Sequence, residues 1–248
     1  MALFTDGEVS SIEDLRAHDT QLQDVANVEG IDVTRKLQLA QEEIAAEVAM
    51  LLARGARFTA PIDSGRVVVT PPLRLWHTYL ALEMVYRDAY RSQLNDRYAG
   101  KRDEYHGMVK WAYEKVLQTG LGMASDPVKR AASPHLKTKS GALPDGTYYV
   151  AASWTNATGA EGAASTPSTI QTAGSSFAAT AGAAPANAKG WNVYAGTTPL
   201  TLTLQNDMPL GVADTWAQPD TLSTNGQAAG TGQLPDYLLP VPRLILRG

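Results

Sequence analysis

The chain contains no cysteine. That excludes a disulfide framework, a thiolate metal site and a cysteine nucleophile, and it fits folding in a reducing compartment. Basic charge is scarce in one region: beyond Lys139 the cations are Lys189, Arg243 and Arg247. With 21 Lys and Arg against 25 Asp and Glu the net charge is −4, and the pI is near 5.6. The sequence therefore lacks the basic character that gives a protein non-specific grip on phosphate backbones. Long apolar runs are missing too. None approaches the roughly 20 residues of a membrane span, and the start, MALFTDGEVSS, has no basic region followed by an apolar stretch. The expectation is a soluble, non-secreted protein.

What is present changes character near Leu143. Before it the sequence is dense in charged and large aromatic residues; after it Gly, Ala, Ser and Thr dominate. Long charged side chains suit helix surfaces, and small or β-branched residues suit strands and turns. The 248 residues are enough for two domains. The predicted organisation is α+β: an N-terminal antiparallel helical bundle over 1–139, a β-sandwich over 140–232 and an extended C-terminal arm over 233–248.

Apolar spacing predicts four helices. Ser11, three residues before Asp14, opens a first short helix with Ile12, Leu15, Leu22 and Val25 near one face. Asp32 caps a second, along which Leu37, Ala40, Ile44, Val48, Leu51 and Leu52 recur until Gly55. Pro61, Asp63-Ser64-Gly65 and Val67-Val68-Val69 mark a loop or short extended segment, and Thr70-Pro71-Pro72 starts a third helix from about Leu73 to Leu94. Its apolar face is Trp76, Tyr79, Leu80, Met84 and Val85, widened by Tyr86 and Tyr90. The fourth, from about Lys101 to Gln118, is expected to bury Tyr105, Met108, Val109, Ala112 and Val116 and to stop at Gly120-Leu121-Gly122.

The second half reads as strands. Leu143-Pro144-Asp145-Gly146 is a turn cluster leading into Thr147-Tyr148-Tyr149-Val150, and Ala151 to Thr155 continues that strand. Gly190-Trp191-Asn192-Val193-Tyr194-Ala195-Gly196 is a second strand, and Leu200 to Leu204 alternates strictly. Short strands separated by Gly-rich turns at this spacing suggest an immunoglobulin-like or fibronectin-III-like sandwich.

Catalytic patterns are thin. His18, His77, His106 and His135 are scattered without a His-Glu-x-x-His pair, and Asp103, Glu104 and His106 fall on different helix faces. No Gly-rich loop opens a helix carrying Lys-Ser or Lys-Thr, and Ser64 and Ser140 are turn residues without a nucleophile elbow. The expectation is a protein that is not an enzyme and has no catalytic residue, metal or cofactor. The aromatic row on helices three and four, a possible cofactor pocket or base-stacking platform by residue type, has the spacing of core packing. Arg87, Asp88, Arg91, Asp96, Arg97, Lys101, Arg102, Asp103 and Glu104 alternate in sign. Solvated surface and a subunit interface, in which complementary charges fix register, both suit them. The candidate interface residues are Arg87, Arg91, Arg97, Lys101, Arg102, Asp103 and Glu104.

The run from Leu73-Arg-Leu-Trp-His-Thr-Tyr-Leu-Ala-Leu-Glu-Met-Val-Tyr-Arg-Asp to Asp96-Arg-Tyr98 and Lys101-Arg-Asp-Glu-Tyr105, after two helices and a loop, resembles the head-to-tail adaptor proteins of tailed bacteriophages. The likeness covers roughly residues 10 to 120 and lies in pattern rather than a fixed signature. The Leu-Pro-x-Gly-x-Tyr-Tyr-Val opening, the Gly-Trp-Asn-Val-Tyr-Ala-Gly centre and Gly211, Trp216 and Pro219 are similar to fibronectin-III-like modules of phage structural proteins, over about residues 141 to 232. These resemblances imply a virion protein of the phage neck, assembled in the host cytoplasm. Copies would form a ring, usually a dodecamer, between the portal protein and the next neck or tail component. Genome DNA would pass through the ring without specific binding, and no membrane is involved. The alternative is a host-surface or carbohydrate-binding adhesion protein working through the sandwich, which calls for exposure of Trp154, Trp191 or Trp216.

The arm carries Tyr237, Leu238, Leu239, Leu244, Ile245 and Leu246 among Pro235, Pro240 and Pro242, too apolar for a solvated tail. It reads either as a last strand packed on its own domain or as a grip on a neighbouring subunit or partner.

Overall fold

The computed structural model describes residues 1–55, 63–93, 96–219 and 221–241. Its first elements are α1 (Ile12–His18), α2 (Leu22–Glu29), α3 (Val33–Gly55), β1 (Val67–Val68), α4 (Pro71–Gln93), α5 (Ala99–Thr119) and β2 (Leu121–Met123). Strands follow: β3 (His135–Lys139), β4 (Gly146–Thr155), β5 (Ser168–Thr172), β6 (Ser176–Thr180) and β7 (Gly190–Gly196). The last are β8 (Thr203–Leu204), β9 (Leu210–Gly211), β10 (Thr215–Ala217) and β11 (Tyr237–Leu239). The fold is mixed α+β, with helices in the N-terminal part and strands, mostly C-terminal, in antiparallel sheets.

The chain divides into two units, but not at Lys139. A helical unit takes Gly7–Met123 and the chain from Pro235 onward; a β unit takes Met1–Asp6 and Ala124–Leu234. Residues 124–139 belong with the strands because β3 pairs along its whole length with β6, His135 opposite Thr180 and Lys139 opposite Ser176. The compositional break near Leu143 lagged the structural one because β3 is an exposed edge strand, and edge strands carry lysines such as Lys137 and Lys139 that discourage further pairing.

In the helical unit each end has a local cause. Ser11 and Asp14 form a reciprocal capping box on α1. The predicted first helix is in fact two, because Asp19 turns extended and its carboxylate accepts the Gln21 N–H at 2.9 Å, closing one helix and preparing the next. Gly30 ends α2 at φ 66°, and the Asp32 side chain accepts the Arg35 N–H at 3.0 Å to start α3. The α3 stripe, Leu37, Ala40, Ile44, Val48, Leu51 and Leu52, is buried throughout; each large member contributes about 1.5–3 kcal/mol by leaving water. Helix α4 is central, packing on α1, α2, α3 and α5. Its apolar residues Leu73, Trp76, Tyr79, Leu80, Met84, Val85 and Tyr86 are buried, whereas Tyr90 is half-buried. On α5, Tyr105, Ala112 and Val116 are buried and Met108 and Val109 only half-buried.

Gly120 caps α5 at φ 86° and lets the chain turn straight into β2, where a Cβ would lie 2.5 Å from the Leu239 carbonyl oxygen. β2 is the middle of a small sheet, with β1 on one side and β11 on the other. Tyr237 faces Met123 and Leu239 faces Leu121, and the Asp236 N–H donates to the Met123 carbonyl at 2.9 Å. The C-terminal arm therefore begins as a strand of the helical unit, not of the β unit it follows in sequence. Leu239 is half-buried, Tyr237 and Leu238 are exposed, and Leu244, Ile245 and Leu246 lie outside the described residues.

The β unit has one sheet in the order β5-β4-β7-β8, with β9 also on β7, and another in the order β10-β6-β3. One apolar core draws on both sheets: Tyr148, Val150, Ala152 and Trp154 of β4, Trp191, Val193 and Ala195 of β7, Phe177 and Ala179 of β6, and Trp216 of β10. β7 is buried at every position, and its one amide side chain, Asn192, accepts from Asn206 at 3.1 Å. The alternating Leu200–Leu204 stretch forms a strand only at Thr203–Leu204, and Leu200 is 93 % exposed. Alternation marks two faces, but pairing needs a free edge, and β8 meets β7 at two positions, Leu204 on Tyr194 and Thr203 on Ala195. Backbone approach is close at Gly162, whose added Cβ would sit 2.7 Å from the Val128 carbonyl oxygen.

Candidate interaction surface

The expected interface charges sit where α4 ends and α5 begins, and most are engaged within the chain. Arg102 donates from Nε and Nη2 to Asp103 at 2.9 and 2.8 Å and lies 4.3 Å over the Tyr90 ring. Lys101 reaches Glu104 at 3.4 Å and Asp19 at 3.6 Å and lies over the Tyr105 ring. Arg97 lies over Tyr98. Arg91 is exposed and lines a cleft with Glu29, Asp32, Arg35, Lys36 and Asp88, in which Lys36 pairs with Asp88. The Arg87 Nε is buried without a partner among the described residues. The outward charge is of both signs: the Asp103 and Glu104 side chains are 68 % and 47 % exposed, Lys101 is 41 % exposed, and Arg91 and Arg97 are exposed as well.

Beneath this face sits Asp19, which no sequence pattern singles out. Its carboxylate accepts the Tyr86 hydroxyl at 2.7 Å, the Tyr105 hydroxyl at 3.0 Å and the Gln21 N–H, with Lys101 nearby. Burial pushes its pKa up, but these donors outweigh burial and hold it below the ordinary aspartate value. Burial, reinforced by Asp19, pushes both phenols well above their ordinary range. The two rings stack at 5.5 Å. The arrangement fastens the α1–α2 turn to α4 and α5 and offers no reactive group, since every donor is already directed at the carboxylate. No sequence signal pairs residues 67 and 86 positions apart.

A second buried pair has the residue types of nucleophilic catalysis. His77 Nε2 donates to the Leu37 carbonyl at 3.1 Å, which leaves Nδ1 to accept from the Ser10 hydroxyl at 2.5 Å. Both residues are buried, His77 completely, so no substrate reaches the hydroxyl. Burial lowers the His77 pKa to about 4 and keeps the ring neutral. The pair latches the segment before α1 onto α3 and α4.

Helices α3 and α5 flank α4 without closing over it, and an open groove of about 330 Å³ lies between them. Trp76 and Leu80 form its floor, Glu43 and Glu47 one wall, and Val109, Lys110 and Tyr113 the other. The Tyr113 hydroxyl donates to Glu47 at 2.8 Å and its ring leans on Trp76 at 4.9 Å. Burial, helped by Glu47, pushes the Tyr113 pKa up to about 12. Trp111, on the next face of α5, is 50 % exposed. The sequence reading assigned Val109 to the core; the acidic pair Glu43 and Glu47, one turn apart beside the Ile44 and Val48 stripe, was the available signal for a groove rim.

Among the described residues no group of three or more His, Asp or Glu is placed to hold a metal ion, and no helix is long and apolar enough to cross a membrane. In the β unit Trp154, Trp191 and Trp216 are 1 %, 0 % and 6 % exposed, and the Trp191 indole N–H donates to the Gly211 carbonyl at 3.1 Å. Flat aromatic platforms for sugar are therefore absent at these three positions. Comparison of the chain with protein-family models, with curated proteins and with solved structures finds no match.

Proposed function

We propose that the chain is a structural protein of the phage neck, a head-to-tail adaptor acting by shape and assembly rather than catalysis. The observation that carries this reading is the pairing of β11 with β2. It makes the helical unit the primary body and turns the β unit into a module held between two adjacent strands of that body. A ring-forming helical body bearing an immunoglobulin-like decoration is what the sequence resemblance implies. Two sheets contributing to one core support the sandwich form of that module.

The helical body would meet its neighbours through heterologous faces, the sign-alternating charges where α4 ends and α5 begins in one copy against a different face of the next, as a closed ring requires. Exposed Trp111 midway along α5, and Tyr237 and Leu238 on β11 beyond its C-terminal end, add apolar area elsewhere on the same body. The adhesion alternative is weakened by the burial of the three tryptophans that would have served it. The test is imaging of assembled virions, where the protein is expected as a rotationally symmetric layer directly below the portal. Its appearance only on the capsid surface or at the distal tail tip overturns the reading.

A further inference from the structure

One face of α5 is exposed over about four turns. At about 100° per residue, Gly100, Asp103, Glu104, Lys110, Trp111 and Glu114 all project within about 60° of Gly107, and each of these positions is exposed. Nothing among the described residues requires a glycine at 107: the backbone there is helical, and an added Cβ meets nothing within 4 Å. Glycine in a helix interior is nonetheless less stable than alanine, and its use is to let another backbone come close. Trp111, one turn further on, is 50 % exposed. We propose that this face pairs with the same face of a second copy, the two α5 helices lying antiparallel and touching at Gly107.

Charge selects both the occupant and the direction. A two-fold axis at Gly107 sets residues above it on one helix against residues at the same height below it on the other, and keeps each on its own side of the contact. Lys110, about 4.5 Å above the axis, then meets Asp103 of the second copy, about 6 Å below it and on the same side. Arg102 engages Asp103 through Oδ1, and the Asp103 side chain is still 68 % exposed. On the other side Trp111 meets Glu104 of the second copy, whose carboxylate is placed to accept the indole N–H. Glu114 faces Gly100, so no carboxylate opposes another. Parallel helices would set Asp103, Glu104 and Glu114 each against its own like, which costs affinity. The contact is isologous and draws on Asp103 and Glu104, which the ring face proposed above also uses. It therefore describes the protein before any ring assembles and is tested without one.

A strip about 21 Å long and one helix wide buries less than the roughly 800 Å² per partner of a stable complex. Sedimentation equilibrium of the full chain is accordingly expected to show monomer and dimer with a Kd on the order of 100 μM. A monomer throughout, up to about 1 mM, overturns the proposal. Lys110→Glu should weaken the dimer about tenfold, and Asp103→Lys, Lys110→Glu together should restore it, because the exchange rebuilds the pair across the axis. A dimer indifferent to Lys110→Glu, or one that the double exchange does not recover, overturns it as well. The absence of cysteine supplies a second measurement. Gly107→Cys carries a single thiol that lies beside its mate at the axis, whereas Gln118→Cys, also exposed, lies about 33 Å from its own. Mild oxidation is expected to link the first into dimers about tenfold faster than the second. Equal rates reject the Gly107 contact.

Discussion

In the helical unit, apart from the small β1-β2-β11 sheet, the hydrogen bonds that join distant helices run through side chains. Asp19 collects Tyr86 and Tyr105, His77 joins Ser10 to Leu37, and Tyr98 and Tyr113 reach Glu29 and Glu47. In the β unit most of the work falls to backbone ladders, above all β4 on β7 over seven residue pairs, with side-chain bonds such as Asn187 to Asp126 and Tyr194 to Glu161 added at the loops. The apolar side chains there fill one core of indoles, Phe177 and small residues. Helices satisfy their own backbones and must find other means of fixing their mutual positions, whereas strands are fixed by the bonds that define them. The two units should therefore fail in different ways.

The largest expected effect is in the β unit. Trp191→Ala removes a completely buried indole from the core and is expected to destabilise that unit by about 3–5 kcal/mol, while the helical signal in circular dichroism melts where it did before. A single transition in which both signals move together would show that the units are not separable.

Acid should single out the helical unit. His77 binds its proton at about pH 4 when folded and near pH 6.5 when unfolded. The unfolded state takes up more protons throughout that window, so stability present above about pH 6.5 falls by about 3 kcal/mol as pH drops to about 4 and then levels off. Urea midpoints of the helical transition at the two ends of the window measure the drop, and His77→Gln should flatten it. A drop of the same size in the variant assigns acid sensitivity to other groups.

Asp19→Ala strips the acceptor from two buried phenols and should cost the helical unit about 1–3 kcal/mol. Since the Asp19 pKa is held below its unfolded value, the natural carboxylate contributes fully above that value and its contribution disappears as pH falls through the folded one. The gap between natural and variant proteins in chemical denaturation should accordingly narrow at strongly acid pH. The smallest effect is expected for Trp111→Ala, within about 0.5 kcal/mol, because half of that indole already faces water. A loss comparable to that at Trp191 would mean that Trp111 is covered in solution.

Much of this contrast is legible in the sequence. The α3 stripe and the start of α4 after Thr70-Pro71-Pro72 follow from spacing and capping chemistry, which are local. The strand centres at Tyr148 and Trp191 follow from β-branched and aromatic runs. What escaped was relational. Asp19 read as one more charged helix residue because its partners are far along the chain. The seat of Arg102 over the Tyr90 ring escaped because it depends on how α4 and α5 meet. The destination of Tyr237–Leu239 was undecidable because an apolar trio between prolines fits any open sheet edge.

The pairing of β11 with β2 also bears on ancestry. Met123 and Tyr237 are cross-strand neighbours, so the points where the chain leaves and rejoins the helical unit are only residues apart in space. A gene losing the intervening codons in frame needs a tight turn to restore a β2–β11 hairpin, together with loss or refitting of Met1–Asp6, which packs with the β unit. The junction is a place where lineages can gain or shed most of a module in one recombination event, with Gly7–Met123 of the helical unit inherited unchanged.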